Sequence, residues 1–156
     1  MQSFKTRVQR FSTFNPTAFT ERRFSDLPYL REDIKGVCAK LGFENLTTVQ
    51  EKAIDNIFTH QHNLVLGETG TGKTLLYLLP IVNDLYSYYQ RLETMTEEEK
   101  LQQTSKPKGA LIFTLNKELT AQIYVDIKKL DALNKLKITR LGSLSQMSTY
   151  VKHMVS

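Results

Sequence analysis

The sequence predicts an α/β fold built around a parallel sheet, and two observations carry that prediction. Short apolar runs bounded by turn residues alternate along the chain with longer segments whose apolar residues recur at helical spacing. A glycine-rich loop, residues 67–74, separates the first of these runs from the helical segment that follows it. Strands that alternate with helices form βαβ units, in which the strands lie parallel to one another.

The individual elements follow from apolar spacing and from the residues that begin or end a helix. Asp26 would cap the first helix and Gly42 would end it, while residues 48–51 have the spacing of a capping box. The predicted helices cover residues 26–41, 48–58, 73–89, 119–130 and 144–154. The predicted buried strands are the apolar runs at residues 63–66, 110–114 and 136–141.

Length and composition are those of a soluble domain. The 156 residues are 40% hydrophobic and 24% charged, which is enough apolar material for one core. No apolar run approaches the roughly 20 residues that a membrane-spanning helix needs, so no membrane partner is expected. Cys38 is the only cysteine, which excludes an intramolecular disulfide and suits a reducing compartment. The net charge of +5 favours polyanionic partners.

The first 23 residues are predicted to be a basic extension that precedes the fold. Lys5, Arg7 and Arg10 are not balanced by any acid before Glu21, and hydroxyl residues separate apolar positions on one helical face. This pattern is typical of a mitochondrial transit peptide, and the alternative is a basic disordered arm. The corresponding locations are the mitochondrial matrix and, otherwise, the cytoplasm or nucleus. The domain is then expected over residues 24–156, with a polar insertion around residues 90–108.

The glycine-rich loop predicts binding of a nucleoside triphosphate. Residues 67–74 fit the pattern G-x-x-x-x-G-K-[ST], with a predicted strand before the loop and a predicted helix after it. Glycine lets the backbone curl so that its N–H groups point at phosphates, and the helix that begins here adds its own free N–H groups. Lys73 would meet the β and γ phosphates, and the Thr74 hydroxyl would ligate Mg²⁺. The predicted phosphate-binding residues are Glu68, Thr69, Gly70, Thr71, Gly72, Lys73 and Thr74.

Three sets of residues precede the loop: Phe24, Gly42-Phe43, and Leu-Thr-Thr-Val-Gln at residues 46–50. Together they resemble the Q motif of DEAD-box RNA helicases, with two prolines of the family pattern replaced by Leu46 and Thr48. The resemblance implies a P-loop RecA-like fold, a three-layer αβα arrangement with a parallel sheet, and ATP as the nucleotide. It also implies that Gln50 reads the adenine edge with its amide, that Phe24 stacks on the base and that Thr47 supports the phosphate loop.

A second stretch, residues 110–122, is similar to the strand and motif Ia of the same family. Residues 115–117 are Leu-Asn-Lys where the family has Pro-Thr-Arg, while Glu118, Leu119 and Gln122 match. Since this segment contacts the RNA backbone in the family, the resemblance implies RNA as a partner. Lysine keeps the charge of arginine without its bidentate fork, so weaker contacts are expected. The implied RNA-backbone residues are Asn116, Lys117, Glu118, Gln122 and, in a second turn, Gly142.

The carboxylates needed for ATP hydrolysis are expected to be missing from this sequence. Hydrolysis needs a carboxylate that holds Mg²⁺, and no Asp-Glu-Ala-Asp box is present in the 156 residues. Asp84, Asp126 and Asp131 all lie on or at the end of predicted helices. We therefore expect an incomplete sheet, marginal stability in isolation, weak ATP binding, no complete catalytic set and no RNA unwinding.

Three functions remain open at this point. The first is the N-terminal piece of a longer RNA helicase, and the second is a short non-catalytic RNA-binding or assembly factor that keeps its P-loop. The third is a P-loop kinase acting on a small metabolite. A preference for adenine that depends on Gln50 would argue against the kinase. Protein partners are not indicated by any motif.

Overall fold

Five helices lie in the part of the chain that the computed structural model describes, residues 18–60, 62–102 and 108–142. They are α1 (Glu32–Lys40), α2 (Thr48–Thr59), α3 (Lys73–Thr94), α4 (Glu97–Gln102) and α5 (Lys117–Leu130). Helix α3 contacts both α2 and α5, and α1 contacts α5. Within the described ranges, no helix combines the length and apolar character needed to cross a bilayer.

A short antiparallel two-stranded sheet packs beside these helices. Strand β1 (Phe19–Arg23) pairs with β2 (Asn45–Thr47) in an irregular register, and a 3-10 turn over Phe24–Asp26 follows β1. Because β1 is paired, the folded part includes five residues that the sequence assigned to the extension at residues 1–23. The predicted transit-peptide pattern itself falls in residues 1–17, outside the described part of the chain.

Three of the predicted helices are confirmed by α2, α3 and α5, and the first is shorter than predicted. Helix α1 begins at Glu32. Asp26 does not cap it, because the Asp26 carboxylate accepts the Arg23 N–H at 3.0 Å within the 3-10 turn. Gly42, with φ +78°, follows the end of α1 as expected. Helix α3 continues to Thr94, into the predicted insertion. The helix predicted over residues 144–154 lies outside the described residues.

The predicted buried strands are not confirmed by this structure. Residues 63–66, 110–114 and 136–141 belong to no strand, and the only sheet among the described residues is the β1–β2 pair. Leu66 is 80% exposed and Phe113 79% exposed. The physical reason is that a strand requires a neighbour to complete its hydrogen-bond ladder, and these segments form no such ladder in the described part. The parallel sheet therefore stays a prediction.

The core is formed by helix faces rather than by a sheet. Cys38 of α1 is fully buried, and burial raises the pKa of its thiol to about 11, so it acts as a small apolar residue. Its neighbours in the buried cluster come from every helix except α4, at spacings of three and four residues. They include Ile34, Ile54, Leu76, Leu79, Val82, Tyr86, Ile123 and Leu130.

A polar cluster joins β1 to α2. The Arg22 guanidinium donates two hydrogen bonds to the Asp55 carboxylate, at 2.8 and 2.7 Å, and the Tyr29 hydroxyl donates a further one. The Tyr29 ring stacks on Phe58 with ring centroids 4.2 Å apart. The hydrogen bond from Arg22 is the main cause that lowers the pKa of Asp55 below its ordinary value. This cluster fixes strand β1 against α2, the helix that carries Gln50.

We expect Asp55→Asn to lower the free energy of unfolding by roughly 0.5–1 kcal/mol at neutral pH, since the pair is largely exposed and screened by solvent. The folded-state pKa of Asp55 lies below the unfolded value of about 3.9, so its contribution is present above that value. It is lost as the pH falls through the folded pKa. Urea melts at pH 7 and pH 3 should show the difference between wild type and variant closing in acid. Asp126→Asn, which removes a looser surface pair with Lys129 at 3.8 Å, is the control.

Candidate functional site

The phosphate loop forms a tight turn at the beginning of α3. Gly70 and Gly72 both have positive φ, +80° and +83°, and Gly72 is the residue immediately before the helix. Such angles are readily adopted only by glycine, which explains the residue type at both positions. Residues 67–70 are exposed, so the loop is open to solvent. The first N–H groups of the 22-residue helix have no partners within the helix and can donate to an anion.

Lys73 lies back across this loop. Its ammonium contacts the Glu68 carbonyl oxygen and lies 3.4 Å from the Thr71 hydroxyl. The Thr71 hydroxyl in turn donates to the same Glu68 carbonyl at 3.0 Å, and Thr71 is fully buried. The loop therefore supplies acceptors for its own lysine. A phosphate group, with stronger acceptor oxygens, can compete for the same ammonium.

Thr47 and Gln50 hold the loop from the side of α2. The Thr47 hydroxyl donates to the Thr71 carbonyl oxygen at 2.9 Å, and the Gln50 amide nitrogen donates to the Gly72 carbonyl oxygen at 3.1 Å. The same two residues form the capping box of α2: Thr47 accepts the Gln50 N–H, and the Gln50 amide oxygen accepts the Thr47 N–H at 2.8 Å. The box lies one residue earlier than the sequence predicted. One pair of side chains thus begins α2 and anchors two loop carbonyls.

The two residues expected to meet the base are both buried. Gln50 is 4% exposed and Phe24 is 3% exposed. Phe24 is part of the apolar core, and its N–H donates to the Glu44 carbonyl oxygen at 3.0 Å. Neither side chain presents a surface for adenine in this arrangement. Stacking by Phe24 and base reading by Gln50 stay predictions, and both would require local movement.

The residues expected to contact RNA gather at the beginning of α5. The Asn116 side-chain oxygen accepts the Leu119 N–H at 2.8 Å and so caps the helix, which leaves the amide nitrogen of Asn116 as a donor. Lys117, Glu118 and Gln122 are exposed on the first turns of α5. Gly142 is half-buried at the end of the described part. Their contact with RNA stays a prediction.

The three aspartates considered as possible Mg²⁺ ligands each contact another side chain of the protein. Asp84 forms an ion pair with Lys108 at 2.5 Å, and Asp126 lies 3.8 Å from Lys129. Asp131 is 1% exposed and accepts the Tyr86 hydroxyl at 2.7 Å. Among the described residues, no group of three histidine, cysteine, aspartate or glutamate side chains is arranged to hold a metal ion.

Sequence reasoning missed the contact between Gln50 and Gly72, because no local pattern shows which carbonyl a distant amide will meet. The resemblance implied that Thr47 supports the phosphate loop, but it did not name the Thr71 carbonyl as the group that Thr47 meets. The capping box of Thr47 and Gln50 was also missed, although the pattern Thr47-x-x-Gln50 is itself a capping-box signal. A capping search one residue upstream would have placed both side chains beside the helix start.

Comparison with known proteins finds one matching family model over most of the chain. Residues 47–154 match the family model described as DEAD/DEAH box helicase. This range covers more than half of the chain and includes Gln50, the whole phosphate loop and the candidate RNA-contacting residues of α5.

Relatives come from yeasts and bacteria. ATP-dependent RNA helicase DBP4 of Kluyveromyces lactis is 30% identical over 129 residues, which is 83% of this chain and 15% of the relative. The mitochondrial ATP-dependent RNA helicase MSS116 of the same yeast is 32% identical over 139 residues, 86% of this chain and 18% of the relative. ATP-dependent RNA helicase RhlB of Vibrio atlanticus is 34% identical over 121 residues, 78% of this chain and 26% of the relative. The chain thus spans about a quarter or less of the length of these relatives.

Proposed function

Because this chain belongs to the DEAD/DEAH box helicase family, we propose that it is the ATP-binding N-terminal portion of an RNA helicase. The observation that carries the proposal is the phosphate loop at the start of α3, with its carbonyls held by the paired side chains Thr47 and Gln50. Coupling of ATP binding and hydrolysis to remodelling of an RNA duplex would belong to a longer protein. The RecA-like parallel sheet is part of the same proposal.

The loop can hold a triphosphate with groups that are already in place. The backbone N–H groups of the turn and of the first turn of α3 would donate to phosphate oxygens, aided by the positive end of the helix dipole. The Lys73 ammonium would exchange the Glu68 carbonyl and the Thr71 hydroxyl for phosphate oxygens. Thr74, half-buried in the first turn of α3, fits the role of Mg²⁺ ligand through its hydroxyl. Bound Mg²⁺ would neutralise phosphate charge.

RNA would meet the beginning of α5. The exposed ammonium of Lys117 can pair with a phosphate, and the amide groups of Asn116 and Gln122 can donate to phosphate oxygens. The backbone N–H of Gly142 could contribute from the second turn. Contacts of this kind depend on the phosphate charge rather than on base sequence, so binding should weaken as salt is raised. The compartment stays a prediction. It is supported by one relative, MSS116, which is named as a mitochondrial protein, and by the basic segment of this chain at residues 1–23.

A second candidate is a non-catalytic RNA-binding or assembly factor that keeps its P-loop. The observation that favours it is the engagement of Asp84, Asp126 and Asp131 with other side chains, which leaves none of them as a ready Mg²⁺ ligand. The two candidates differ in whether nucleotide identity matters. Only the helicase portion is expected to discriminate adenine from guanine.

Base selectivity tests the leading proposal. We expect the chain to bind ATP more tightly than GTP, and we expect Gln50→Ala to reduce that preference about tenfold, as for the loss of a polar group that recognises its ligand. Gln50→Glu is the matched control for helix capping, since it keeps an acceptor for the Thr47 N–H but loses the donor. Equilibrium dialysis measures both affinities. An ATP-to-GTP ratio that is the same in wild type and both variants would contradict the proposal.

A further inference from the structure

An open pocket of about 260 Å³ lies at strand β1, strand β2 and the turn before β2. Its lining residues are Phe19, Gly42, Glu44 and Asn45. Phe19 is 75% exposed, although phenylalanine is among the residues most often buried. Gly42 adds no side chain, and no heavy atom beyond its chain neighbours lies within 4 Å of the position that a Cβ would take there. The pocket therefore presents an aromatic ring to solvent beside an open space.

Polar side chains line the pocket next to this ring. The Asn45 amide nitrogen donates to the Thr20 carbonyl oxygen at 2.7 Å, which holds the amide in place and leaves its oxygen as an acceptor. Glu44, an exposed residue, adds a carboxylate. A nucleobase has faces that stack on aromatic rings and edges that hydrogen-bond to polar side chains. The pocket thus has the chemistry of a site for a base.

The pocket lies on the side of the two-stranded sheet that meets the phosphate loop. Phe19 pairs with Thr47, and directly opposite side chains of an antiparallel pair project from the same face. Asn45 shares that face because it lies two residues from Thr47 along β2. The Thr47 hydroxyl donates to the Thr71 carbonyl oxygen of the loop at 2.9 Å. Two residues of a strand span only about 7 Å, so the ribose of a nucleotide can bridge the pocket and the loop.

We propose, resting on the proposed function, that the base of the bound nucleotide stacks on Phe19 in this pocket. Phe24, to which the family resemblance gives the stacking role, is buried in the core, whereas Phe19 already presents a ring face. Position 19 lies outside the residues on which the resemblance rests. Every base has a face that can stack, so Phe19 adds affinity for the nucleotide without choosing between adenine and guanine.

Fluorescence of a single introduced tryptophan tests the stacking directly. The chain contains no tryptophan, so Phe19→Trp places the only indole at the pocket. With Mg²⁺ present, ATP and GTP should each quench its fluorescence, whereas tripolyphosphate, which has no base, should not. Phe113→Trp is the matched control, since Phe113 is similarly exposed and is not a lining residue of the pocket. Equal quenching of the two variants by ATP, or none in Phe19→Trp when dialysis shows ATP bound, would overturn the proposal.

Equilibrium dialysis separates this proposal from the proposed function. Phe19→Ala should weaken binding of ATP and of GTP by about fivefold or more, and should leave the binding of tripolyphosphate unchanged. Phe19→Tyr keeps the ring and should bind ATP as the wild type does. Because the side chain is exposed, both variants should unfold in urea like the wild type.

The outcomes of the dialysis are distinguishable. If neither ATP nor tripolyphosphate binds the wild-type chain, the proposed function fails and the stacking proposal fails with it. If both bind, and Phe19→Ala binds ATP as tightly as the wild type, only the stacking proposal is overturned.

Discussion

Gly72→Ala is expected to disable the phosphate loop. Gly72 has φ +83°, and an added Cβ would collide with the Gln50 side-chain nitrogen and lie 3.0 Å from its amide carbon. The left-handed conformation costs a non-glycine residue roughly 1–2 kcal/mol. Displacing a buried amide that makes two hydrogen bonds adds about 1–3 kcal/mol. The free energy of unfolding should fall by about 3 kcal/mol, and ATP affinity should fall by at least tenfold.

Gly70→Ala separates backbone strain from the collision. Gly70 has nearly the same φ, +80°, but no heavy atom lies within 4 Å of the position its Cβ would take. Gly70→Ala should therefore lower the free energy of unfolding only by the cost of the left-handed conformation, about 1–2 kcal/mol. Chemical denaturation and equilibrium dialysis of both variants provide the comparison. Equal effects at the two positions would mean that Gln50 does not brace the loop at Gly72.

Asp131→Ala is expected to be the most destabilising change outside the loop. The buried Asp131 side chain accepts the Tyr86 hydroxyl at 2.7 Å, the Lys135 N–H at 2.9 Å and the Leu136 N–H at 3.3 Å. Alanine would leave these donors without an acceptor, at about 1–3 kcal/mol each before relaxation. The Tyr86 hydroxyl and the Leu136 N–H are buried, and the Lys135 N–H is half-buried. We expect the free energy of unfolding, measured by urea denaturation, to fall by about 3–4 kcal/mol. The reason is that the chain after α5 would no longer be fixed against α3.

Tyr86→Phe is the control for this network. It removes one donor to Asp131 and the oxygen that accepts the Leu133 N–H at 3.3 Å. The N–H groups of Lys135 and Leu136 keep the Asp131 carboxylate as their acceptor. The free energy of unfolding of Tyr86→Phe should be about 1–2 kcal/mol lower than that of the wild type. In the double variant the losses should be less than additive, because the two side chains share a hydrogen bond. Full additivity would show that Asp131 and Tyr86 act independently.

Helices were predictable from this sequence because their signals are local. The N-terminal start of α2 follows from hydroxyl and amide side chains three residues apart, and α5 from an apolar stripe after Asn116. The place of Gly72 in the phosphate loop was predictable from the pattern G-x-x-x-x-G-K-[ST] alone. The position of Lys73 across its own loop could not be predicted, since it depends on which carbonyls the folded turn presents.

The sequence could not decide whether residues 63–66, 110–114 and 136–141 form strands, because a strand is defined by the neighbouring strand that pairs with it. The run at residues 110–114 is apolar enough for a buried strand, yet Phe113 is exposed and only Ile112 reaches the core. A pattern of apolar residues indicates that a face must be covered, but it does not identify what covers it. In the same way, the Arg22–Asp55 pair joins residues 33 positions apart, which no spacing rule anticipates.

The affinity of the chain for ATP in the presence of Mg²⁺, measured by equilibrium dialysis beside Lys73→Ala, tests the central claim most directly. Loss of the ammonium removes a charge-assisted hydrogen bond to phosphate, so the variant should bind at least tenfold more weakly while unfolding in urea like the wild type. Lys128→Ala, an exposed lysine of α5, should bind ATP as the wild type does. Equal ATP affinity in Lys73→Ala and the wild type would contradict the account.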